Sequence, residues 1–342
     1  ELSPLTTDYL GKLAMEAGVP AGVFNVVHGY GATTGNALIT NPDVAAISFT
    51  GGTATGKHII ATAGLKKFSM ELGGKSPVMI FDDCDYERAL DAAVFGIFSI
   101  NGERCTAGSR IFVQESIYDK FCADFAARAN NIEVGDPTDM NTKVGSLISQ
   151  AHWEKVTGYI KTGIEEGATL IAGGPDKPVS ELPAHLQGGH FVRPTAFRDV
   201  SNEMRIAREE VFGPVLAIIK TKSDEESIAL ANDCDFGLGS NVFTRSTRRA
   251  EQLGSQLEAG MTSINDFCST YMAQSLPFGG VKESGFDRFA GIEGLRGCCV
   301  PKSVVVDRFP LLMKTNIPPP LCYPVADNAF AFCKALARMF FG

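Results

Sequence analysis

The sequence predicts an α/β protein built around a parallel sheet. Three observations carry this: helix-period and strand-period segments alternate over residues 1–75, residues 44–50 are almost continuously apolar, and a glycine pair joins that run to the next helix. Pro4 to Ala17 (PLTTDYLGKLAMEA) has apolar residues at spacings of three and four, with Ser3 in the N-cap position and Gly18 and Pro20 as a stop. Val23–Val27 (VFNVV) reads as a buried strand. The glycine-rich HGYGATTG turns into a short helix that Asn41-Pro42-Asp43 breaks. Val44–Thr50 (VAAISFT) reads as a buried parallel strand. Gly51-Gly52 opens a helix to about Ala63, and Lys67–Leu72 is the next strand. This β-α-β-α-β order implies parallel pairing with right-handed crossovers.

From Gly73 to about Thr262 the pattern is again α/β. Helices are expected over Tyr86–Phe98, Glu115–Ala127, His152–Glu166 (followed by the strand TLIAGG), Glu225–Ala231 and Ser246–Gln256. Regular alternation fades after Gly280. Ser303–Asp307 (SVVVD) reads as a strand, Ile317–Pro320 as a proline-rich linker and Asn328–Phe341 as a terminal helix. That helix sets Phe332, Leu336, Met339 and Phe340 on one face, with Lys334 and Arg338 off it. It is too short to span a bilayer. Docking on protein is favoured over lying on a membrane surface, because two basic residues give little attraction to lipid.

The 342 residues suit about two domains, and a net charge of −8 with no Lys/Arg-rich block argues against a nucleic-acid partner. The nine cysteines (84, 105, 122, 234, 268, 298, 299, 322 and 333) form no C-x-x-C pair and no zinc-type cluster. No metal is expected. Most of these thiols read as reduced, buried small hydrophobes, including the Cys298-Cys299 pair, which points to a reducing, cytoplasmic setting. The chain begins at Glu1 without Met or a signal peptide, and is expected to be a fragment.

AISFTGGTATGK (46–57) places glycines 51, 52 and 56 between a strand and a helix start, where free backbone N–H groups attract a pyrophosphate. The spacing is neither G-x-G-x-x-G nor a P-loop, so a plain tight connection competes with nucleotide binding. NGERCTAGSR (101–110) sets Cys105 among polar and small residues, with Arg104 or backbone N–H groups available to stabilise a thiolate. MELGGKSP (70–77) puts Glu71 at a strand end beside two glycines, where a carboxylate can act as general base. Glu209 and Glu210 precede an apolar pair and a Gly-Pro turn in REEVFGP. For either motif alone, a solvated glutamate is the plainer reading.

In content and order, FTGGTATGK, MELGGKSP, NGERCTAGSR, EEVFGPV, INDF and LPFGGVKESGFDR resemble the motifs of the aldehyde dehydrogenase superfamily, over nearly the whole chain to about residue 310. The resemblance implies an incomplete Rossmann-type nucleotide-binding part (1–73), an α/β catalytic part (74–272), and a return segment with an oligomerisation strand and helical extension (273–342). It implies Cys105 as the nucleophile, its backbone N–H as an oxyanion donor, and Glu71 as the base that hydrolyses the thioester. Glu210 would hold the nicotinamide ribose with Phe212 nearby. Gly51, Gly52, Thr53 and Leu72 would meet the cofactor, Glu1 the adenosine ribose, and Asn265 the substrate pocket. A carboxylate at that ribose favours NAD over NADP. The base argues for hydrolysis and against transfer to CoA. The implied partners are an aldehyde and further copies of the chain, as homo-dimer or homo-tetramer.

Two departures stand out. Family chains are generally longer, and the part before Glu1 would hold the first nucleotide-domain strand, the asparagine that completes the oxyanion hole and a lysine. Asp287 occupies a position where glycine is usual. A catalytically incomplete, nucleotide-binding or oligomerising remnant is therefore the alternative function. A thiol hydrolase would need His28, His58, His152, His185 or His190 beside Cys105, and no motif supports that. The cysteine loop is similar to that of hydroxymuconic semialdehyde dehydrogenases, whereas the C-terminal segment resembles a different branch.

Overall fold

The computed structural model describes residues 1–267, 269–306, 321 and 323–341. Glu1–Cys299 form one compact unit and the residues from Val300 a second. In chain order the elements are α1 (Pro4–Glu16), α2 (Asn36–Thr40), β1 (Ala46–Thr50), α3 (Thr53–Thr62), β2 (Lys67–Glu71), β3 (Pro77–Ile80), α4 (Tyr86–Phe98), β4 (Arg110–Gln114) and α5 (Glu115–Asn130). Then follow α6 (Gln150–Glu165), β5 (Thr169–Ala172), β6 (Thr195–Arg198), α7 (Arg205–Arg208), β7 (Val215–Thr221), α8 (Asp224–Asn232), β8 (Phe236–Gly237), β9 (Gly239–Phe243) and α9 (Thr247–Gly254). The last are β10 (Met261–Ile264), α10 (Ser269–Met272), β11 (Val281–Lys282), β12 (Gly285–Phe286), α11 (Gly291–Gly297) and α12 (Ala329–Phe341).

A sheet of order β10-β9-β3-β4-β7-β6-β5 forms the centre. Its neighbours pair in parallel, except β5, which runs antiparallel to β6. Helices cover both faces, so β3 is buried at every residue. Side chains alternate between two cores, as strand geometry requires. Val78 and Ile80 join Leu90, Ile97, Phe121 and Phe125 beneath α4 and α5, whereas Met79 joins Val156, Ile160, Phe197 and Leu253 beneath α6 and α9. Helix α4 shows why the local sequence is helical. Asp85 caps it by accepting from the Arg88 N–H, and Ala89, Leu90, Ala93 and Ile97 make one buried stripe. Each fully buried Leu or Ile there contributes roughly 2 kcal/mol.

The smaller sheet has the order β1-β2-β12. Its first two strands are parallel across α3, and Gly285 pairs with Glu71 in antiparallel sense. Three expectations fail in instructive ways. Val23–Val27 is a turn and coil with Val23 70% exposed, because no strand lies beside it among the described residues. Strand β1 forms, but it is an edge strand: Ala46, Ser48 and Thr50 are exposed while Ile47 and Phe49 pack towards Ile59 and Met70. Residues 303–306 likewise form no strand among the described residues, and Val305 is 96% exposed. A lone strand leaves its backbone groups unpaired, so neither valine run forms one without a neighbour.

Helix α1 buries none of its residues, and Ser3 makes no side-chain cap. Cys298 and Cys299 are exposed, not packed, because their short helix α11 buries no side chain; Cys84, Cys122 and Cys234 are buried as expected. Residues 307 and 317–320, Cys268 and Cys322 lie outside the described residues. Among the described residues no helix is long and apolar enough to cross a membrane.

Candidate active site

In a parallel sheet the loops that lead into neighbouring strands lie side by side. Here the connections entering β3, β4, β7 and β9 carry Gly73-Gly74, Cys105, Glu210 and Leu238. The sheet order brings these sequence-distant loops to one end, and Glu71 is the last residue of β2, just ahead of the first loop.

The Gly73-Gly74 pair is the meeting point. The Gly74 N–H donates to Glu210 Oε1 (2.9 Å). A methyl group on Gly73 would stand 2.6 Å from Glu210 Oε2, and one on Gly74 only 2.2 Å from the Cys105 carbonyl oxygen. Ser284, wholly buried, fixes the same turn: its hydroxyl donates to the Gly73 carbonyl (2.6 Å) and accepts from the Gly237 N–H (3.0 Å). Cys105 is half-buried against Leu238, Met261 and Phe278. Arg104 does not simply face solvent: its guanidinium donates to the Phe95 and Gly96 carbonyls and lies 5.2 Å from the ring centres of Phe95 and Phe267.

Glu71 is 2% exposed, and both carboxyl oxygens are buried without a hydrogen-bond partner. Burial pushes its pKa up to about 8; the Arg288 charge opposes this and the Asp287 charge adds to it. Its Oε1 lies against Gly279, where a methyl group would stand 2.8 Å away. A carboxyl group with this setting is poised to take a proton near neutral pH.

The two adjacent glutamates part company. Glu209 is gripped by Arg205 (Nε to Oε1 2.7 Å) and accepts from the Tyr159 hydroxyl (2.7 Å), so it is held ionised well below the usual range, at about 2. Glu210 turns inward; burial raises its pKa while the Gly74 N–H opposes the rise. Only the second meets the Gly73-Gly74 junction.

The nucleotide-side turn is also assembled. Gly51 N–H donates to the Glu71 carbonyl (3.0 Å), which links the turn to the end of β2. Gly52 has open space where a side chain would be. The Thr53 hydroxyl accepts from the Gly73 N–H (3.2 Å) and donates to the Glu283 carbonyl (3.2 Å). Leu72 packs into α3 at Gly56, where a methyl group would collide with it at 2.5 Å. Its side chain therefore serves the helix–strand contact. Phe212 has a left-handed backbone (φ 58°) and meets the His152 ring edge-on. Asn265 is committed to Thr244: its Oδ1 accepts from the Thr244 N–H and its Nδ2 donates to the Thr244 carbonyl. Glu1 is exposed ahead of α1, and no hydrogen bond or ion pair among the described residues ties it to the Gly51 turn.

Sequence reasoning missed the buried cations behind the site. Arg110 donates to the Lys75 carbonyl, Asn202 and the carbonyls of Leu230 and Ala231, and lies over Phe112. A lone arginine heading the apolar strand RIFVQ was the available clue. Lys75, 2% exposed, donates to the Ile206 carbonyl (2.7 Å). Burial and then the Arg110 charge pull its pKa down to about 7 against Cys234, Glu210 and Glu209. The folded state thus favours neutral Lys75, and stability is lost as pH falls from the ordinary lysine range through about 7. Lys75→Met should therefore gain thermal stability over the parent as pH is lowered from 10 to 7. Parallel melting curves at the two ends test this; a constant difference would refute it.

Among the described residues no group of three His, Cys, Asp or Glu side chains could hold a metal ion. The model of the aldehyde dehydrogenase family matches residues 1–304. The chain is 63% identical over 284 residues to 5-carboxymethyl-2-hydroxymuconate semialdehyde dehydrogenase of Escherichia coli, an alignment that covers 82% of this chain and 59% of the relative. HpcC from Thermus thermophilus superposes with a TM-score of 0.82 at 45% identity, over 86% of this chain and 57% of that one. Betaine aldehyde dehydrogenase of Staphylococcus aureus, solved in complex with NAD+, gives a TM-score of 0.82 at 39% identity, over 86% and 57%. The chain thus spans less than two thirds of the length of these relatives. Its central sheet, its glycine-pair junction and the match across residues 1–304 agree: the chain belongs to the aldehyde dehydrogenase family.

Proposed function

We propose that this site oxidises an aldehyde to a carboxylic acid with NAD as hydride acceptor. The observation that carries the reading is the junction at Gly73-Gly74, which meets the Cys105 backbone and the Glu210 carboxylate and begins two residues after a buried Glu71 whose carboxyl oxygens have no hydrogen-bond partner. The residues present suit a dinucleotide: open space at Gly52, a helix start at Thr53 and an inward carboxylate at Glu210.

The Cys105 thiolate adds to the aldehyde carbon, and its backbone N–H would donate to the oxygen that becomes negative. NAD would supply the hydride acceptor at this carbon, and Cys105 would carry the resulting thioester. Glu71 takes a proton from water, whose oxygen adds to the thioester carbon; the acid departs and the thiolate returns. Glu210 orients the nicotinamide ribose. Glu1 at the adenosine ribose would disfavour a 2′-phosphate and so favours NAD over NADP. The E. coli relative's name suggests a hydroxymuconic semialdehyde as the first substrate to test. Assembly as homo-dimer or homo-tetramer would give residues 303–306 a strand to pair with.

NADH formation should be followed with that semialdehyde, betaine aldehyde and simple aldehydes, with either cofactor. Cys105→Ala is expected to reduce the rate to background; equal rates in parent and variant refute the proposal. A second reading, a nucleotide-binding or oligomerising remnant, is favoured by the apolar side chains left exposed on α1, Leu5, Leu10 and Leu13 among them. It predicts NAD binding without any NADH.

A further inference from the structure

Three side chains on successive turns of α6 grip the loop that carries Glu210. His152 Nε2 lies 2.9 Å from the Phe212 carbonyl oxygen, Val156 fills the space beside Gly213, where a methyl group would stand 2.7 Å from it, and the Tyr159 hydroxyl donates to Glu209 (2.7 Å). The spacing of four and then three residues places all three on one helix face. His152 does something the other two do not. The same Nε2 is 3.2 Å from Glu103 Oε1, and Glu103 stands two residues before Cys105. Both side chains are largely buried. A nitrogen facing a carbonyl and a carboxylate, both acceptors, must carry its hydrogen, so the ring bridges the loops as a shared donor.

The bridge sits where the loops already touch. Gly102, at φ 69°, packs so closely on the Gly213 carbonyl that a methyl group would stand 2.3 Å from its oxygen. Glu103 is steadied on its other side by Asn101 Nδ2 (3.4 Å), and Asn101 Oδ1 accepts from the Gly145 N–H (2.9 Å).

We infer that His152 is a positioning residue that locks the Cys105 loop to the Glu210 loop, so that the thiol and the nicotinamide-side carboxylate keep one separation. This deepens the proposed oxidation and rests on it for its catalytic meaning. Loss of the clamp frees the cysteine loop from its apolar seat without unfolding the sheet behind it.

Iodoacetamide alkylation of Cys105 in the full chain, read by peptide mass spectrometry, tests the lock without needing turnover. Buried Cys84 and Cys122 report any general opening. His152→Ala and Glu103→Ala should each speed Cys105 alkylation by about threefold or more, and the double variant should go no further, since both remove one interaction. His152→Gln, which keeps an N–H donor, should restore part of the protection. An alanine variant at the parental rate, or effects of the two alanines that multiply, overturns the lock. If His152→Ala also exposes Cys84 and Cys122, Glu103→Ala alone decides, and a parental rate there overturns it. A parent that forms no NADH refutes the proposed oxidation, and the alkylation result still stands or falls by itself.

Discussion

Replacing Glu71 with glutamine is expected to lower steady-state NADH formation by about two to four orders of magnitude, while one enzyme equivalent of NADH still forms in a burst. The amide keeps the shape of the side chain but cannot take a proton from water, so thioester formation proceeds and its hydrolysis stalls. The parental rate should rise with pH to a plateau, because the buried carboxyl must first ionise with a pKa of about 8. The variant should lose that rising limb. Rapid-mixing kinetics across pH 6–9 check both points, and a variant without a burst would place Glu71 ahead of the hydride step.

The same group affects stability. Its folded pKa lies above the ordinary value of 4.5, so the folded state holds its proton more tightly. Stability is therefore lost as pH rises from about 4.5 through 8, on the order of a few kcal/mol. Glu71→Gln removes this loss, and its advantage in a melting experiment should grow across that window.

Gly74→Ala is expected to lower turnover by about a hundredfold or more and to cost about 1–3 kcal/mol of stability or more. Its new methyl group would stand 2.2 Å from the Cys105 carbonyl oxygen and 3.4 Å from the Leu238 Cβ. The obstacle is main chain, so no side-chain rotation relieves it. Either the cysteine loop or the Glu71–Lys75 connection must move by an ångström or so, enough to cost about a hundredfold in rate. The Gly74 N–H would also shift from Glu210. Initial rates and denaturant melts measure the two effects. Normal activity with a normal midpoint would show that the junction tolerates displacement and would remove the main support for the proposed site.

Most of the helices and the parallel core were legible in the sequence because their causes are local. Ser149, Ser223 and Ser246 cap α6, α8 and α9, and α6 and α9 carry apolar stripes that include Val156 and Ile160, and Ala250 and Leu253. Val23–Val27 misled, and so did the second valine run over its described residues 303–306, because a valine-rich run specifies only a capacity to pair, and the partner is a non-local matter. At the site, Cys105 stood out by its polar and glycine neighbours, whereas Glu71 was singled out only through the family resemblance. Local sequence could not tell Glu209 from Glu210, and only the resemblance picked the second, since the distinction lies in Arg205 and Tyr159, which meet Glu209 only in three dimensions. Lys75, Glu103 and His152 stayed hidden for the same reason: each looks like an ordinary surface residue until the fold buries it.

The backbone ahead of the thiol limits how far this chemistry can be transplanted. Ile100, Asn101 and Gly102 adopt left-handed conformations in succession (φ 53°, 55° and 69°), although the first is β-branched and strongly disfavoured there. They are kept in that shape by contacts far along the chain, at Gly145 and Gly213. Grafted alone into another scaffold, NGERCTAGSR would relax to an ordinary turn and present an ordinary cysteine. A designer who wants this cysteine in its present setting must carry over the three separate segments together, which makes this motif a poor module and a good family fingerprint.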